Sequence, residues 1–289
     1  MSVGVLGANL RRFFSGEIFS GAIKGHFELV RALNQYGARA LIRRDPSYVH
    51  KYLRNYLAKG LSKTQRREVL IFHHRYLAER QITETFYEAI LDREPCLWRE
   101  TINENLYSMR IKHMRLHHEE GDLSLIFLMN DRELYGISFS IVPGELVGSA
   151  AKQTLLIGNI QGRSGHADDI RTCTKALQDV APPFLLLTAT SAIADVLAIT
   201  TIIGVGNEKH IMRGNSYSFN FDYDAFWKAL SVERNHAHFY EGSVPLTDKS
   251  IKLIKSKKRG KTRLKRQFKH QVFEHVRATF ADFVKKSAN

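Results

Sequence analysis

The sequence predicts an α+β fold in three successive parts: a helical N-terminal region (1–108), an α+β core (109–248) and a basic C-terminal helical tail (249–289). Three observations predict it. Helix-capping signals and aromatic residues mark the first part, short apolar runs separated by turns mark the second, and lysine and arginine crowd the third. With 289 residues and 44% apolar content, the chain is long enough to bury a large core.

The N-terminal region carries two helix-start signals. Proline suits the first position of a helix, so Asp45-Pro46 predicts a helix start. Residues 62–65 (SKTQ) fit a capping box, in which the serine and glutamine side chains each bind the other residue's backbone amide. Both signals place helices before residue 108.

The core begins as an antiparallel meander, because turn residues at 119–122, 130–133 and 143–144 separate short β-rich runs. The next strand, 154–160, alternates less between apolar and polar residues, which predicts a central position in the sheet. Two helices and a buried strand at 201–205 follow. The core is therefore predicted to be an antiparallel or mixed sheet with helices packed on it.

The net charge of +14 indicates an anionic partner. Much of the excess lies in the tail, where the run from Lys249 to Lys269 contains no acidic residue. Each basic side chain near an anionic leaflet contributes about 1 kcal/mol of binding free energy, so an anionic membrane surface is one hypothesis. Nucleic acid fits the charge too, but is less favoured because no zinc-finger or RNA-recognition signature accompanies the run.

The sequence predicts a cytoplasmic protein without a transmembrane segment. Its beginning lacks the order of a secretory signal, and its longest apolar stretch, 184–205, contains Asp195. Cys96 and Cys173 form no disulfide pattern. The basic tail adds the hypothesis of peripheral attachment at the inner membrane.

A glycine-bearing turn joins strand 154–160 to the following helix. Unpaired amides and the helix dipole make such a turn suitable for an anion. The predicted anion-binding or cofactor-binding residues are Gln161, Gly162, Arg163, Ser164, Gly165, His166 and Arg171. Asp168-Asp169 in the first helical turn would oppose an anion. Asn207 and His210, which follow the strand at 201–205, are predicted to line the same cleft.

Five segments resemble blocks of the VirK/YbjX family of Gram-negative bacteria. They are 134–142 (LYGISFSIV), 157–162 (IGNIQG), 204–210 (GVGNEKH), 222–227 (DYDAFW) and 254–261 (IKSKKRGK). The resemblance implies a role in envelope homeostasis, virulence-factor display or antimicrobial-peptide tolerance, with an envelope client protein as a further partner. It implies no chemistry, because the molecular function of that family is unknown.

The meander followed by a glycine turn also resembles the core of the GNAT acyltransferases, in which a Gln/Arg-x-x-Gly-x-Gly/Ala turn binds the pyrophosphate of acyl-CoA. Residues 165–167 supply the second half of this motif, whereas Gln161 lies one residue too far upstream. A transferase needs a general base, for which His118, Glu119 and Glu120 are the candidates. Two hypotheses stay open: an acyl-CoA-dependent acyltransferase and a non-catalytic envelope accessory.

The thirteen histidines raise the question of a metal site. No HExxH motif or Cys/His ligand spacing accompanies them. The sequence therefore predicts no metal site.

Overall fold

The computed structural model describes residues 16–82, 84–113, 119–212, 221–246, 248 and 250–288. They form the predicted α+β fold, an eight-stranded mixed sheet with helices packed against it. The described helices are α1 (Gly16–Gln35), α2 (Arg39–Arg44), α3 (Lys63–Ala78), α4 (Glu84–Asp92), α5 (Ala167–Ala176), α6 (Pro182–Val196), α7 (Tyr223–Ala229) and α8 (Ser256–Ala288). The strands are β1 (Cys96–Ile102), β2 (Asn105–His113), β3 (Leu123–Met129), β4 (Arg132–Pro143), β5 (Gln153–Gly162), β6 (Thr201–Gly204), β7 (Glu233–Arg234) and β8 (Tyr240–Ser243).

Both predicted helix starts are present. Asp45 precedes a 3-10 helix, Pro46–Leu53, and its carboxylate accepts a hydrogen bond from the Ser47 amide at 3.0 Å. At the start of α3, the Ser62 hydroxyl accepts from the Gln65 amide at 3.2 Å, and the Ser62 amide donates to the Gln65 side chain at 2.9 Å. The capping box is therefore confirmed.

The sheet begins earlier than the sequence predicts, because β1 and the start of β2 lie inside the stretch expected to be helical. In β1, the apolar pair Leu97-Trp98 is followed by Arg99 and Glu100, which are exposed. Charged residues are common on edge strands, and here they conceal the alternation that identifies a strand.

The strand order is β1-β2-β3-β4-β5-β6-β8-β7, and every neighbouring pair is antiparallel except β5 and β6. The predicted meander is confirmed as β2, β3 and β4. Asn130 and Asp131, with φ of 51° and 59°, form the two-residue turn between β3 and β4. Two successive positive φ values match the twist of antiparallel hairpins. Strand β5 lies between β4 and β6, the central position predicted for it.

Helix packing covers the sheet. α3 packs against β4, and α6 packs against β3, β4, β5 and α8. α6 is apolar on most sides and buried along most of its length, as expected of a helix enclosed by neighbours.

Helix α8 contains 33 residues and accounts for the predicted basic tail. From Phe268 onward it is anchored in the core, where Phe268 packs edge-on against Trp98 and Phe280 against Phe86. Its first half carries exposed basic residues. Within the described part of the chain, no helix is both long enough and apolar enough to cross a bilayer.

Candidate functional site

The candidate site lies where the two parallel strands of the sheet separate. The ladder between β5 and β6 pairs residues 155–157 with 202–204, and the Val205 amide closes it by donating to the Ile157 carbonyl at 3.1 Å. β5 then continues to Gly162 with β4 as its strand neighbour. Beyond Ile157, the edge of β5 that faced β6 is turned toward the segment that follows β6.

A β-bulge at Gly158 marks the point of separation. Ser138 pairs with Asn159 and Phe139 with Ile157, so Gly158 is the extra residue on β5. A Cβ atom on Gly158 would lie 2.0 Å from the carbonyl oxygen of Glu120. Glycine is required here because the backbone of Glu120 crosses directly over the bulge.

Tyr223 bridges the gap beyond the bulge. Its hydroxyl group is 2.6 Å from Asn159 Oδ1, 3.1 Å from the Ile160 amide and 3.1 Å from His210 Nε2. Its own amide donates to Asn207 Oδ1 at 2.8 Å. Asn207 also donates through Nδ2 to the carboxylate of Asp222, which caps α7 and so fixes the helix that carries Tyr223.

The protonation of His210 follows from its contacts. Burial, and then the charge of Lys59, lower the pKa of His210 to about 4, so the ring is neutral at pH 7. The Met212 amide donates to His210 Nδ1 at 3.2 Å, which makes Nδ1 the acceptor and places the proton on Nε2. The Tyr223 oxygen therefore accepts two N–H groups, from Ile160 and His210, and donates its proton to Asn159.

Glu120 is a buried carboxylate at the same place. Its side chain is 7% exposed, and its Oε2 atom has no hydrogen-bond partner among the described residues. Burial raises the pKa of Glu120. Burial also raises the pKa of Tyr223, and the charge of Glu120 raises it further. A carboxylate with a raised pKa is a stronger base than an ordinary carboxylate.

A buried ion pair holds the turn that carries Glu120. Asp122 Oδ1 accepts from Lys51 Nζ at 2.9 Å and from the Tyr48 hydroxyl at 2.8 Å, while Oδ2 accepts from Ser140 at 2.6 Å and from Tyr56. Lys51 also donates to the carbonyl oxygen of Gly121. Burial alone would raise the pKa of Asp122, but the charge of Lys51 holds it well below its usual range.

Three neutral histidines surround this pair. His74 lies between two tyrosine hydroxyls, 2.9 Å from Tyr48 and 2.7 Å from Tyr87. His73 Nδ1 accepts the Ile141 amide at 3.1 Å. Burial lowers the pKa of His73 to about 4 and that of His113 to about 3. The network joins the N-terminal helical region to the sheet through groups that carry no charge at pH 7, apart from the central pair.

The predicted glycine turn lies at the other end of this edge of β5. Gly165 has φ of 82°, and a Cβ atom there would have no neighbour within 4 Å, so the turn borders open space. A Cβ atom on Gly162 would instead meet the ring of Tyr135 at 2.7 Å. Ser164 and Gln161 are exposed. The Arg163 amide donates to the Leu134 carbonyl at 2.9 Å.

The charged residues of the turn are paired with one another. Arg163 contacts Glu133 at 2.6 Å, His166 contacts Asp169 at 3.0 Å, and Arg171 contacts Asp168. Four basic side chains face three carboxylates in this cluster, which therefore has a net charge of +1; they are Lys112, Arg132, Arg163 and Arg171 against Glu133, Asp168 and Asp169. The charges of Asp168 and Asp169, which would repel an anion at the N-terminus of α5, are thus neutralised.

The structure brings Asn207 and His210 together at Tyr223, places the backbone of Glu120 over the bulge at Gly158, and places the glycine turn further along β5. His118 lies outside the described residues. Glu119 is half-buried, and its carbonyl oxygen accepts the Leu57 amide at 2.7 Å. In the described ranges, no group of three or more His, Cys, Asp or Glu side chains is arranged to hold a metal ion.

Sequence reasoning missed Tyr223, Asn159 and the Lys51–Asp122 pair. In the sequence, Asp122 indicates only a polar turn. Lys51 lies between aromatic residues, which indicate core packing. Tyr223 stands in the segment 222–227, which carried the family resemblance, and Asn159 stands in 157–162. The signal that the sequence offered was the presence of these two polar residues in segments that carry the family resemblance.

Fold and site together define an α+β protein with a mixed sheet and a polar gap at its parallel strand pair. The profile of the family described as "Protein of unknown function (DUF535)" matches residues 23–278, so the chain belongs to this family. It is similar to the uncharacterized protein YbjX of Escherichia coli strain K12, with 29% identity over 233 residues that cover 77% of this chain and 69% of the relative. The VirK/YbjX resemblance is thereby confirmed. No solved structure matches the chain significantly.

Proposed function

We propose that the chain is an acyl-CoA-dependent acyltransferase with a GNAT-like core that serves the bacterial envelope. The observation that carries the proposal is the gap beyond Gly158, where the parallel strands separate beside the buried carboxylate of Glu120. Ligands of sheets with parallel strands bind where neighbouring strands separate at their carboxyl ends. The envelope role rests on the VirK/YbjX resemblance.

The edge of β5 has a suitable length for the cofactor. Gly158 and Gly162 are four residues apart, about 13 Å in a strand that rises about 3.3 Å per residue. This is of the order of the pantetheine arm of CoA. The pyrophosphate then lies at the glycine turn, and the thioester lies beside Glu120. Backbone donors alternate along a strand, so the Gly162 amide points to the same edge of β5 as the Ile160 amide, which donates to Tyr223.

Electrostatics of the turn support a pyrophosphate there. Asp168 and Asp169 are neutralised by Arg171 and Arg132, and the cluster retains one net positive charge. The N-terminus of α5 adds its own partial positive charge. The open space beside Gly165 leaves room for the phosphates to approach the backbone.

Glu120 is the proposed general base. It takes a proton from the amine or hydroxyl group of the acceptor as that group attacks the thioester carbon. The carbon–sulfur bond breaks, a carbon–nitrogen or carbon–oxygen bond forms, and the proton passes to the departing CoA thiolate. Two N–H donors, from Ile160 and His210, converge on the Tyr223 oxygen and hold that hydroxyl group fixed beside the proposed thioester.

The test is release of free CoA thiol, followed with a chromogenic disulfide reagent. Acetyl-CoA and palmitoyl-CoA serve as donors and a bacterial envelope extract as the acceptor. The wild-type protein is expected to release thiol, and Glu120→Gln, which keeps the shape of the side chain but removes the base, is expected to lose at least 100-fold in rate. Equal rates for both proteins, or no release by either, would overturn the proposal.

A second candidate function, docking of a cytoplasmic protein on the anionic inner leaflet, is favoured by the surface of the tail. Leu253 is 79% exposed and Leu264 is 54% exposed. Four exposed lysines lie close to Leu253 in the chain: Lys252, Lys255, Lys257 and Lys258. Basic residues interleaved with exposed apolar ones are suited to a membrane interface.

Sedimentation with vesicles tests this docking. Vesicles with 30% anionic phospholipid are expected to bind the protein at low salt, and neutral vesicles are not. Changing Lys252, Lys255, Lys257 and Lys258 to Gln is expected to abolish binding. Changing four exposed lysines elsewhere, Lys63, Lys152, Lys175 and Lys228, alters net charge equally and is expected to retain it. Retention by the first variant would contradict docking through the tail and leave an envelope client protein as the partner to seek.

A further inference from the structure

A cleft of about 790 Å³ lies between α6 and the middle of α8, away from the glycine turn. The segment with Pro245 and Leu246 and the end of α7 complete its walls. Its volume falls within the range of small-molecule sites. Its apolar lining is supplied by Val180, Phe184, Leu187, Leu230, Ile254 and Phe273.

Charge is distributed unevenly along the cleft. At one end, Lys261 pairs with the carboxylate of Asp179, and Lys265 donates to the carbonyl oxygen of the same residue. Arg266 and Lys269 share the carboxylate of Asp248 at 3.4 and 3.0 Å. Four cations on two carboxylates leave this end with a net charge of +2.

The other end has the opposite sign. There Arg277 contacts both Asp195, at 2.6 Å, and Glu274, at 3.5 Å, so one cation faces two carboxylates. Eight residues of helix separate Lys269 from Arg277, about 12 Å at 1.5 Å per residue. The cleft is therefore an apolar channel with a positive and a negative end.

We propose that this cleft binds a single-chain amphiphile with one anionic head group, either a fatty acid or a lysophospholipid. The head group lies at the positive end near Lys265 and Lys269, and the chain extends over the apolar lining. The negative end disfavours a ligand with an acid at both termini. Ile254, which lines the cleft, directly follows the exposed Leu253, so the site adjoins an apolar surface from which an amphiphile can enter. This site is separate from the proposed acyl-CoA site.

The experiment uses cis-parinaric acid, whose fluorescence rises in an apolar site, as the probe on the full chain. Palmitate and 1-palmitoyl lysophosphatidic acid are the two competing anions, and hexadecanol is the neutral control of the same chain length. At least one anion is expected to displace the probe ten-fold more effectively than hexadecanol does. The stronger competitor identifies the source of the ligand. Equal displacement by hexadecanol would overturn the role of the positive end.

Two variants locate the site. Thr188 is half-buried and lines the cleft, so Thr188→Trp projects an indole ring into it and narrows it, whereas Thr188→Val preserves its volume. Thr188→Trp is expected to weaken probe binding at least ten-fold and Thr188→Val to leave it unchanged. Should the tryptophan variant fail to fold, Lys265→Gln with Lys269→Gln decides, and loss of the preference for anions is expected. Unchanged binding in a folded Thr188→Trp protein, or an unchanged preference in the lysine variant, would contradict the proposal.

Discussion

Replacing Tyr223 with phenylalanine removes one oxygen atom from the centre of the gap. The Ile160 amide and His210 Nε2–H then lose their acceptor, and Asn159 loses its donor. Ile160 is fully buried and His210 is 3% exposed, so water cannot readily replace the oxygen. An unsatisfied buried donor costs about 1–3 kcal/mol, and we expect Tyr223→Phe to lower the free energy of unfolding by about 2–4 kcal/mol.

Urea denaturation followed by circular dichroism measures this loss, with Tyr107→Phe as the matched control. Tyr107 is fully buried as well, but its hydroxyl group has no hydrogen-bond partner within the described residues. Removing an unpaired buried hydroxyl should leave stability unchanged or raise it slightly. Equal stability of the two phenylalanine variants would refute the hydrogen-bond assignment at Tyr223.

Three further predictions concern the scaffold around the site. Lys51→Met leaves the buried carboxylate of Asp122 without its cation and should lower the free energy of unfolding by about 3–5 kcal/mol in denaturant titrations, with partial recovery on adding Asp122→Asn. No loss of stability would show that the pair is dispensable. The pKa values of His73 and His113, lowered by burial to about 4 and about 3, mean that the unfolded chain binds more protons below pH 6.5. Stability should therefore be complete above that pH and fall by about 2 kcal/mol per histidine between pH 7 and pH 5, and a flat profile would contradict their burial as neutral rings. Ser62→Ala should cost about 1 kcal/mol by thermal denaturation, and an unchanged melting temperature would argue against the cap.

Local signals in the sequence predicted the local structure well. The turn at Asn130-Asp131, the capping box at Ser62 and the central position of β5 each depend on residues close together in the chain. β1 escaped detection because Arg99 and Glu100 interrupt its apolar pattern. A strand at the edge of a sheet needs only one apolar face, so few apolar residues mark it in the sequence.

The candidate site was predictable only in part. Asn207 and His210 follow a predicted strand, which favours a position in a cleft, and Glu120 lies in a turn after another strand, which makes it a candidate base. Lys51 and Asp122 are 71 residues apart, and no spacing in the sequence shows that they meet. The sequence places the candidate base Glu120 in a polar turn, and only the structure shows that its backbone crosses β5 at Gly158 and that its carboxylate is buried. Such contacts depend on tertiary packing.

Binding of CoA to the turn at Gly165 is the most direct test of an anion site at the end of β5, and titration calorimetry measures it. Gly165 has a positive φ, which asparagine and aspartate both tolerate better than other side chains, and the space beside it is open. Gly165→Asn and Gly165→Asp therefore differ mainly by one negative charge. We predict that wild type and Gly165→Asn bind CoA, while Gly165→Asp binds at least ten-fold more weakly. Indistinguishable affinities for the two variants, or no binding by the wild type, would contradict the proposal.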